Sequence, residues 1–413
     1  MCLQKYAIYL IVFFLLSGCS ATKSTQKTSE VFSTQSYITN KTFKSVIPIT
    51  IWNNKIFLNA KVNGKQYRFL LDTGSPTLLT KKVAKDLGLK SGVESTAKDG
   101  NGNPVTMEFS VLAQLKIGDV EFRNIPVFIF DPSHMELGDS IFDGGIIGSE
   151  IMPLCNWQIN FEKKHLILSN DIKQLEFIDS AQAAKLKLYS YPYTPIVEYS
   201  IDNSFKDQAI FDTGNSELFT LFDRAFEELK KRKLIDSAIG KAIGTLGVSA
   251  GGIGKDTSFH LVALKQLSFG ELHFQNIEVW THSIVASLIG AKIFDSQVVT
   301  LDYANKVVYF HEYKDPITKP KTFGFKPYLK DQSVYVGFLK ESSPAEKAGM
   351  QLHDQILKID GFDCRELKSL EPIELLEVMK SLSSIQQRQE IEITFKRNGL
   401  KKKVLLKKVK SIK

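Results

Sequence analysis

Along residues 46–312 the chain is written mostly in short apolar runs and in period-two alternation of apolar and polar residues, the pattern of strands with one buried face. Twice a run becomes apolar at consecutive positions, Leu70-Leu71 and Ile210-Phe211. Both times it stops at the same tripeptide, Asp72-Thr73-Gly74 and Asp212-Thr213-Gly214. Each Asp therefore arrives directly off a buried strand, and each Gly permits a turn that a side chain would obstruct.

Placing the two tripeptides in register aligns what surrounds them, which separates a repeat from a coincidence. Upstream, residues 56–72 match 196–212, with Asn63-Gly64 and Asn203-Ser204 at a hairpin turn. Downstream, Leu78-Leu79-Thr80 matches Leu218-Phe219-Thr220. A short helix is predicted after each, over 81–87 and 221–234, with Thr80 and Thr220 as caps. Further on, 115–118 with 122–125 matches 267–270 with 274–277, alternating strands joined by a tight Gly-containing turn. Ile146-Ile147-Gly148 then matches Leu288-Ile289-Gly290, and each copy closes on a strand pair. Two mostly β lobes are expected, residues 46–178 and 188–312.

From about residue 320 the pattern changes. Residues 334–339 form a strand, Ser343-Pro344-Ala345 opens a capped helical turn, and 354–361 form a strand closed by an Asp-Gly turn. A helix over 372–382 and a final hairpin turning at Asn398-Gly399 complete the segment, taken as residues 320–413.

With 413 residues and 43% hydrophobic content, the chain can bury more than one core. Part of the net charge of +8 sits in the lysine-rich stretch 401–410, which has too few aromatics for a nucleic-acid platform. It is expected to be a solvated edge strand kept from pairing by its lysines, and no nucleic-acid partner is expected. No Cys pair has zinc spacing and the seven His form no ligand cluster, so neither a metal nor a cofactor is expected.

At the start, Lys5 supplies a positive end, residues 6–16 are apolar but too few to span a bilayer, and Leu16-Ser17-Gly18-Cys19 follows. This resembles the lipobox of bacterial lipoproteins. The resemblance implies a signal peptide over 1–18, lipidation of Cys19 and a lipid membrane as partner. Residues 19–45, rich in Ser, Thr and Lys, are expected to form an unpacked tether. The body is then expected in the cell envelope, lipid-anchored to the outer membrane and facing the periplasm or the exterior. With Cys2 and Cys19 accounted for, Cys155 and Cys364 fall in different domains and no disulfide is expected.

Two carboxylates presented by two halves of one chain are the minimum equipment for hydrolysing a peptide bond with one shared proton. Close together they cannot both stay ionised. The ionised one can activate water while the protonated one polarises the scissile carbonyl. Thr73 and Thr213 can reach across to the other strand's backbone, and Gly74 and Gly214 can offer amides to the carboxylates. Ser75 can donate a further hydrogen bond to Asp72, and Asn215 holds the equivalent place in the second copy.

Two copies of hydrophobic-hydrophobic-Asp-Thr-Gly, each followed by hydrophobic-hydrophobic-Gly, resemble the aspartic peptidases over about 265 residues, with lobe lengths nearer the retropepsin-like branch. The resemblance implies a mainly β, two-lobed acid-protease fold, Asp72 and Asp212 as catalytic dyad, protein or peptide substrates, and Gly148 and Gly290 as supports beneath the active-site loops. It also implies flaps, Gly-bearing hairpins that close over substrate. The candidates are 99–103 with Gly100 and Gly102, and 244–254 with Gly251 and Gly252; neither carries the Tyr typical of the pepsin flap.

The segment 334–361 is similar to a PDZ domain through Ser343-Pro344-Ala345, Ala348-Gly349 and Asp354-Gln355-Ile356-Leu357, with His353 where Gly is commonest. That likeness implies a C-terminal αβ module whose Phe323-Gly324-Phe325 loop holds a peptide carboxylate, the peptide packing against Ile373, Leu376 or Met379. The module would then recruit substrate or regulate a membrane-anchored endopeptidase. The alternative is a non-catalytic extracytoplasmic scaffold that binds extended peptides.

Overall fold

The alternation is realised strand by strand. Lys44–Trp52 buries every second side chain from Ser45 to Ile49, and Lys55–Val62 folds back on Lys65–Leu71 through Asn63-Gly64, both at positive φ (47° and 83°). That is the backbone of a hairpin turn whose twist matches its strands. The structure, a computed structural model, describes residues 35–410, apart from 91, 93, 136, 190–191, 236–237, 246, 284–285, 317–320, 371–373, 375–376 and 379–387.

The repeat is geometric as well as sequential. Gly145–Ile147 lies parallel to Lys65–Leu71 and antiparallel to Leu78–Thr80. In the second copy Ser287–Gly290 lies parallel to Phe205–Asp212 and antiparallel to Phe219–Phe222. A long hairpin supplies the crossover between the parallel strands each time, Pro104–Ile117 with Val120–Phe130 and Thr257–Phe269 with Leu272–His282.

The lobes share a floor. Asn156–Asn160 of the first pairs antiparallel with Gln297–Asp302 of the second, Trp157 opposite Leu301. His165–Ser169 and Lys44–Trp52 extend the sheet on one side, Val307–Glu312 and Gln182–Leu188 on the other. One apolar core runs through both lobes, with Trp157 fully buried and Phe161 against Phe294 at 5.0 Å between ring centres.

Some boundaries move. Tyr37–Ile38 pairs with Val120–Phe130 and the strand Lys44–Trp52 begins before residue 46, so 37–45 belong to the first lobe and not to a tether. The second lobe takes in Gln182–Leu188, ahead of residue 188, because that strand pairs with Val307–Glu312. The first helix is Lys81–Asp86, capped by the Thr80 hydroxyl as expected. The second is Asp223–Lys231, and Thr220 does not cap it. Thr220 is instead held in a strand by pairing with Trp280. The signal segment and Cys19 lie outside the described residues. Cys155 and Cys364 are both buried and free.

The C-terminal module has its own core of Phe323, Val336, Ile356, Phe395 and Leu406. Ser343 caps its short helix through the Glu346 amide, and His353 takes a positive φ of 66° at its turn, the conformation Gly would favour. Glu390–Arg397 and Leu400–Lys407 form the closing hairpin, with Lys403 and Lys407 paired to Glu392 and Glu390 at 2.9 and 2.7 Å. The buried Asp354 carboxylate depends on Arg397, whose Nε donates to it at 2.6 Å. Arg397→Ala strands that charge and is expected to destabilise the module by about 3 kcal/mol, read as an earlier transition in urea unfolding. An unchanged midpoint would show that water reaches Asp354.

Candidate active site

Each tripeptide is a strand end pulled into a tight loop. The Asp72 amide donates to the Ile147 carbonyl at 3.0 Å, which fixes the first loop to the neighbouring parallel strand. Inside the loops the Gly74 amide donates to Asp72 Oδ1 at 2.9 Å, and the Gly214 amide to Asp212 Oδ1 at 2.8 Å.

The loops are stitched to each other. The Thr73 amide donates to Thr213 Oγ1 at 3.0 Å and the Thr213 amide to Thr73 Oγ1 at 3.1 Å. Thr213 Oγ1 donates to the Leu71 carbonyl at 2.9 Å, and Thr73 Oγ1 donates to that of Phe211. Both threonines are buried, so this reciprocal set excludes water and fixes the two carboxyls against one another.

The closeness is visible in the glycines. A Cβ on Gly74 would lie 2.7 Å from Asp212 Cγ, and one on Gly214 would lie 2.5 Å from Asp72 Cγ. Asp72 is pushed up to about 8, by burial first and then by the neighbouring Asp212 carboxyl, against the opposing pull of Lys55 and the Gly74 amide. One proton is thus retained by the pair across neutral pH.

Gly148 and Gly290 sit where the likeness places them. A Cβ on Gly148 would come within 2.2 Å of the Pro76 carbonyl carbon, and on Gly290 within 2.1 Å of the Glu217 oxygen. The amides that follow them donate to the loops, Ser149 to the Ser75 carbonyl at 2.9 Å and Ala291 to that of Asn215 at 2.7 Å.

Two side-chain roles are corrected. Ser75 Oγ folds back onto the Pro76 carbonyl at 2.7 Å instead of reaching Asp72. Asn215 Nδ2 donates to Thr220 Oγ1 at 3.0 Å, bracing the loop against the next strand instead of the carboxylate.

The candidate flaps meet. Gly100 and Gly102 lie on the turn after Glu94–Lys98, and Gly251 and Gly252 on the excursion between Gly240–Gly244 and Thr257–Phe269. The Gly251 amide donates to Asp99 Oδ2 at 2.7 Å, and Asn101 Nδ2 donates to the Gly247 and Gly252 carbonyls at 3.0 and 3.1 Å.

The C-terminal module is joined to this region. Its strand Ser333–Lys340 pairs with Gly240–Gly244 at the base of the second candidate flap, and the Thr245 amide donates to the Gly337 carbonyl at 2.7 Å. Lys326 pairs with Glu217, five residues past Asp212 in the same loop, at 2.7 Å and holds that carboxyl at about 2. Leu137 of the first lobe is buried within the module's core. Phe323 and Phe325 are buried too, and Gly324 is pressed against Ser343. The Gly324 amide is engaged by Thr322 Oγ1 at 2.9 Å, so in this structure it does not face an open carboxylate site. Ile373, Leu376 and Met379 lie outside the described residues.

Three features went unread in the sequence: Lys55, the Lys326–Glu217 pair, and buried Glu150. Glu150 Oε2 accepts from the amide and hydroxyl of Thr77 at 2.7 and 2.8 Å, while Thr77 Oγ1 accepts from the Gly148 amide at 3.1 Å. Thr77→Val deprives Glu150 of one donor and the Gly148 amide of its acceptor. A loss of about 2 kcal/mol in thermal unfolding is expected; no change would mean the junction is locked by packing alone. A position two residues past the repeated Gly was the available signal, since Glu150 has no counterpart of its type at Lys292.

Among known families, residues 58–151 match the one described as aspartyl protease. The matched stretch runs from within the strand Lys55–Val62 to just past Gly148. Among solved structures, the aspartic proteinase from Irpex lacteus is 14% identical with a TM-score of 0.41, covering 65% of this chain and 97% of that one. Basic 7S globulin from soybean is 9% identical with a TM-score of 0.40, covering 65% and 94%. No curated protein matches the chain.

Proposed function

We propose that this chain is an aspartic endopeptidase. The observation that carries the proposal is the pair of carboxyls that two lobes bring together, each against the glycine of the other's loop and held there by the reciprocal threonine bonds. The match of residues 58–151 to an aspartyl protease family supports it independently.

The chemistry follows from the proton count. The ionised carboxyl takes a proton from a water between the two acids as its oxygen adds to the scissile carbonyl, while the other carboxyl gives its proton to the carbonyl oxygen. Collapse of the tetrahedral species returns that electron pair, and the departing amine leaves with the proton taken from water. No covalent enzyme intermediate forms. Substrate would lie extended between the loops and the meeting flaps, which must part for entry.

The finer parts of the proposal are the module and the anchor. The C-terminal module is proposed to be PDZ-like and to regulate access, a reading supported by the pairing of Ser333–Lys340 with the strand Gly240–Gly244 beside the second candidate flap. Lipidation at Cys19 would hold the body at the outer membrane within the cell envelope.

The test is the pH dependence of kcat/KM on a reduced, alkylated polypeptide, with cleavage sites read by mass spectrometry. A bell is expected, falling on the acid side as the second carboxyl protonates and on the alkaline side near pH 8 as the pair loses its proton. A rate that climbs through alkaline pH, or no cleavage at any pH, contradicts the proposal.

A further inference from the structure

The chemistry of this inference rests on the peptidase proposal, but its geometry does not. Lys55–Val62 pairs with Lys65–Leu71 so that Ile56 stands opposite Leu71. The same register carried one residue outward sets Lys55 opposite Asp72. Directly opposed residues of an antiparallel pair place their side chains on one face, with Cβ atoms about 5 Å apart.

The turn leading into Lys55 is pinned from the other lobe. Asn54 Nδ2 donates to the Ser216 carbonyl at 2.9 Å, and Ser216 Oγ donates to the Asn53 carbonyl at 2.8 Å. Ser216 belongs to the loop that carries Asp212, so Lys55 is fixed by both acid-bearing loops at once.

The second lobe has no equivalent. Ile196 opposite Ile210 carries the register to Thr194 opposite Asp212, and Thr194 is neutral and buried. The charged groups facing Lys55 are Asp212, Asp72, Glu217 and Lys326. Lys326 is already committed to Glu217, and Lys292 also acts on Glu217. His282 also feels Asp212, but burial lowers its own proton affinity and its Nε2 is held against the Ala286 carbonyl; among the described residues Lys55 is the lysine that acts on both acids, its own proton affinity lowered by burial and raised in turn by Asp212 and Asp72.

We infer that Lys55 is a positioning residue of the dyad: its ammonium, carried by the strand position opposite Asp72, supplies from one lobe alone the positive field that lets one of two crowded carboxyls stay ionised. The site is thus asymmetric in charge although its loops repeat.

Lys55→Met keeps the length of the side chain and removes the charge, and Lys55→Arg restores it. Both limbs of the pH–rate profile are expected to move up by about one unit in Lys55→Met and to stay within a few tenths of a unit in Lys55→Arg. The shift is also readable without turnover. The pH above which the gap in thermal midpoint between Lys55→Met and Lys55→Met/Asp72→Asn stops widening should lie about one unit above that for wild type and Asp72→Asn, because the folded-state proton affinity sets the upper end of the window. Unmoved limbs with an unmoved thermal divergence overturn the inference, as does an equal shift in Lys55→Arg. If wild type cleaves nothing, the peptidase proposal falls and the thermal comparison alone decides the role of Lys55.

Discussion

Asp72→Asn is expected to abolish cleavage while making the fold more stable at neutral and alkaline pH. The loss of rate should be at least about 10³-fold, because an amide can neither take the proton from water nor share one with Asp212. The gain in stability has the opposite sign for the same physical reason. The folded state holds the Asp72 proton up to about pH 8, above the ordinary carboxylate value of 3.8. Between those values the folded protein binds the extra proton, so stability falls as pH rises, and above about 8 the full penalty of a crowded, desolvated charge remains. Below the unfolded value there is no penalty to remove. The variant and wild type should therefore have equal thermal midpoints near pH 3 and diverge by several kcal/mol by pH 9, at about 1.4 kcal/mol for each pH unit between the two values. Asp212→Asn should likewise lose cleavage. Equal midpoints at every pH would show Asp72 to be an ordinary solvated acid.

Gly148→Ala is expected to damage fold and activity together. Its φ of −104° suits any residue, so the demand is for space alone. The new methyl would lie 2.2 Å from the Pro76 carbonyl carbon and 2.4 Å from the Ser75 oxygen, backbone atoms of the loop that carries Asp72. Neither can swing aside as a flexible side chain could. A loss of about 3 kcal/mol or more is expected, with a fall in cleavage from a displaced Asp72. Gly290→Ala should behave alike, meeting the Glu217 oxygen at 2.1 Å. Gly64→Ala is the control: it has a φ of +83° but nothing within 4 Å, so only backbone strain of about 1 kcal/mol is expected. Equal effects at Gly148 and Gly64 would mean the loop floor is softer than its geometry.

The contrast between those glycines shows what was legible. The repeat located both loops because a Cβ-free position, an apolar strand and an acid must recur together wherever two lobes build the same turn. The reciprocal threonine bonds followed from side-chain length and twofold logic, and the structure bears them out. The Asn398-Gly399 turn was readable because both of its residues need positive φ. Ser75 and Asn215 were misassigned because a hydroxyl or amide near a carboxylate has several acceptors within reach, and the local turn decides which one wins. Lys55 went unread since it acts through cross-strand register, which an alignment of the two copies does not show. The docking of Ser333–Lys340 against the base of the second candidate flap was also hidden, because strand edges advertise availability and not choice of partner.

Whether the two acids act as one unit is measured most directly by ¹³C NMR of the aspartate carboxyls, titrated from pH 3 to 10 in wild type and Asp212→Asn. In wild type, Asp72 should titrate near pH 8, and its midpoint should drop in Asp212→Asn, where the neighbouring carboxyl is gone. If no wild-type aspartate titrates above about pH 5, the two carboxyls hold their protons independently and there is no shared proton for catalysis to use.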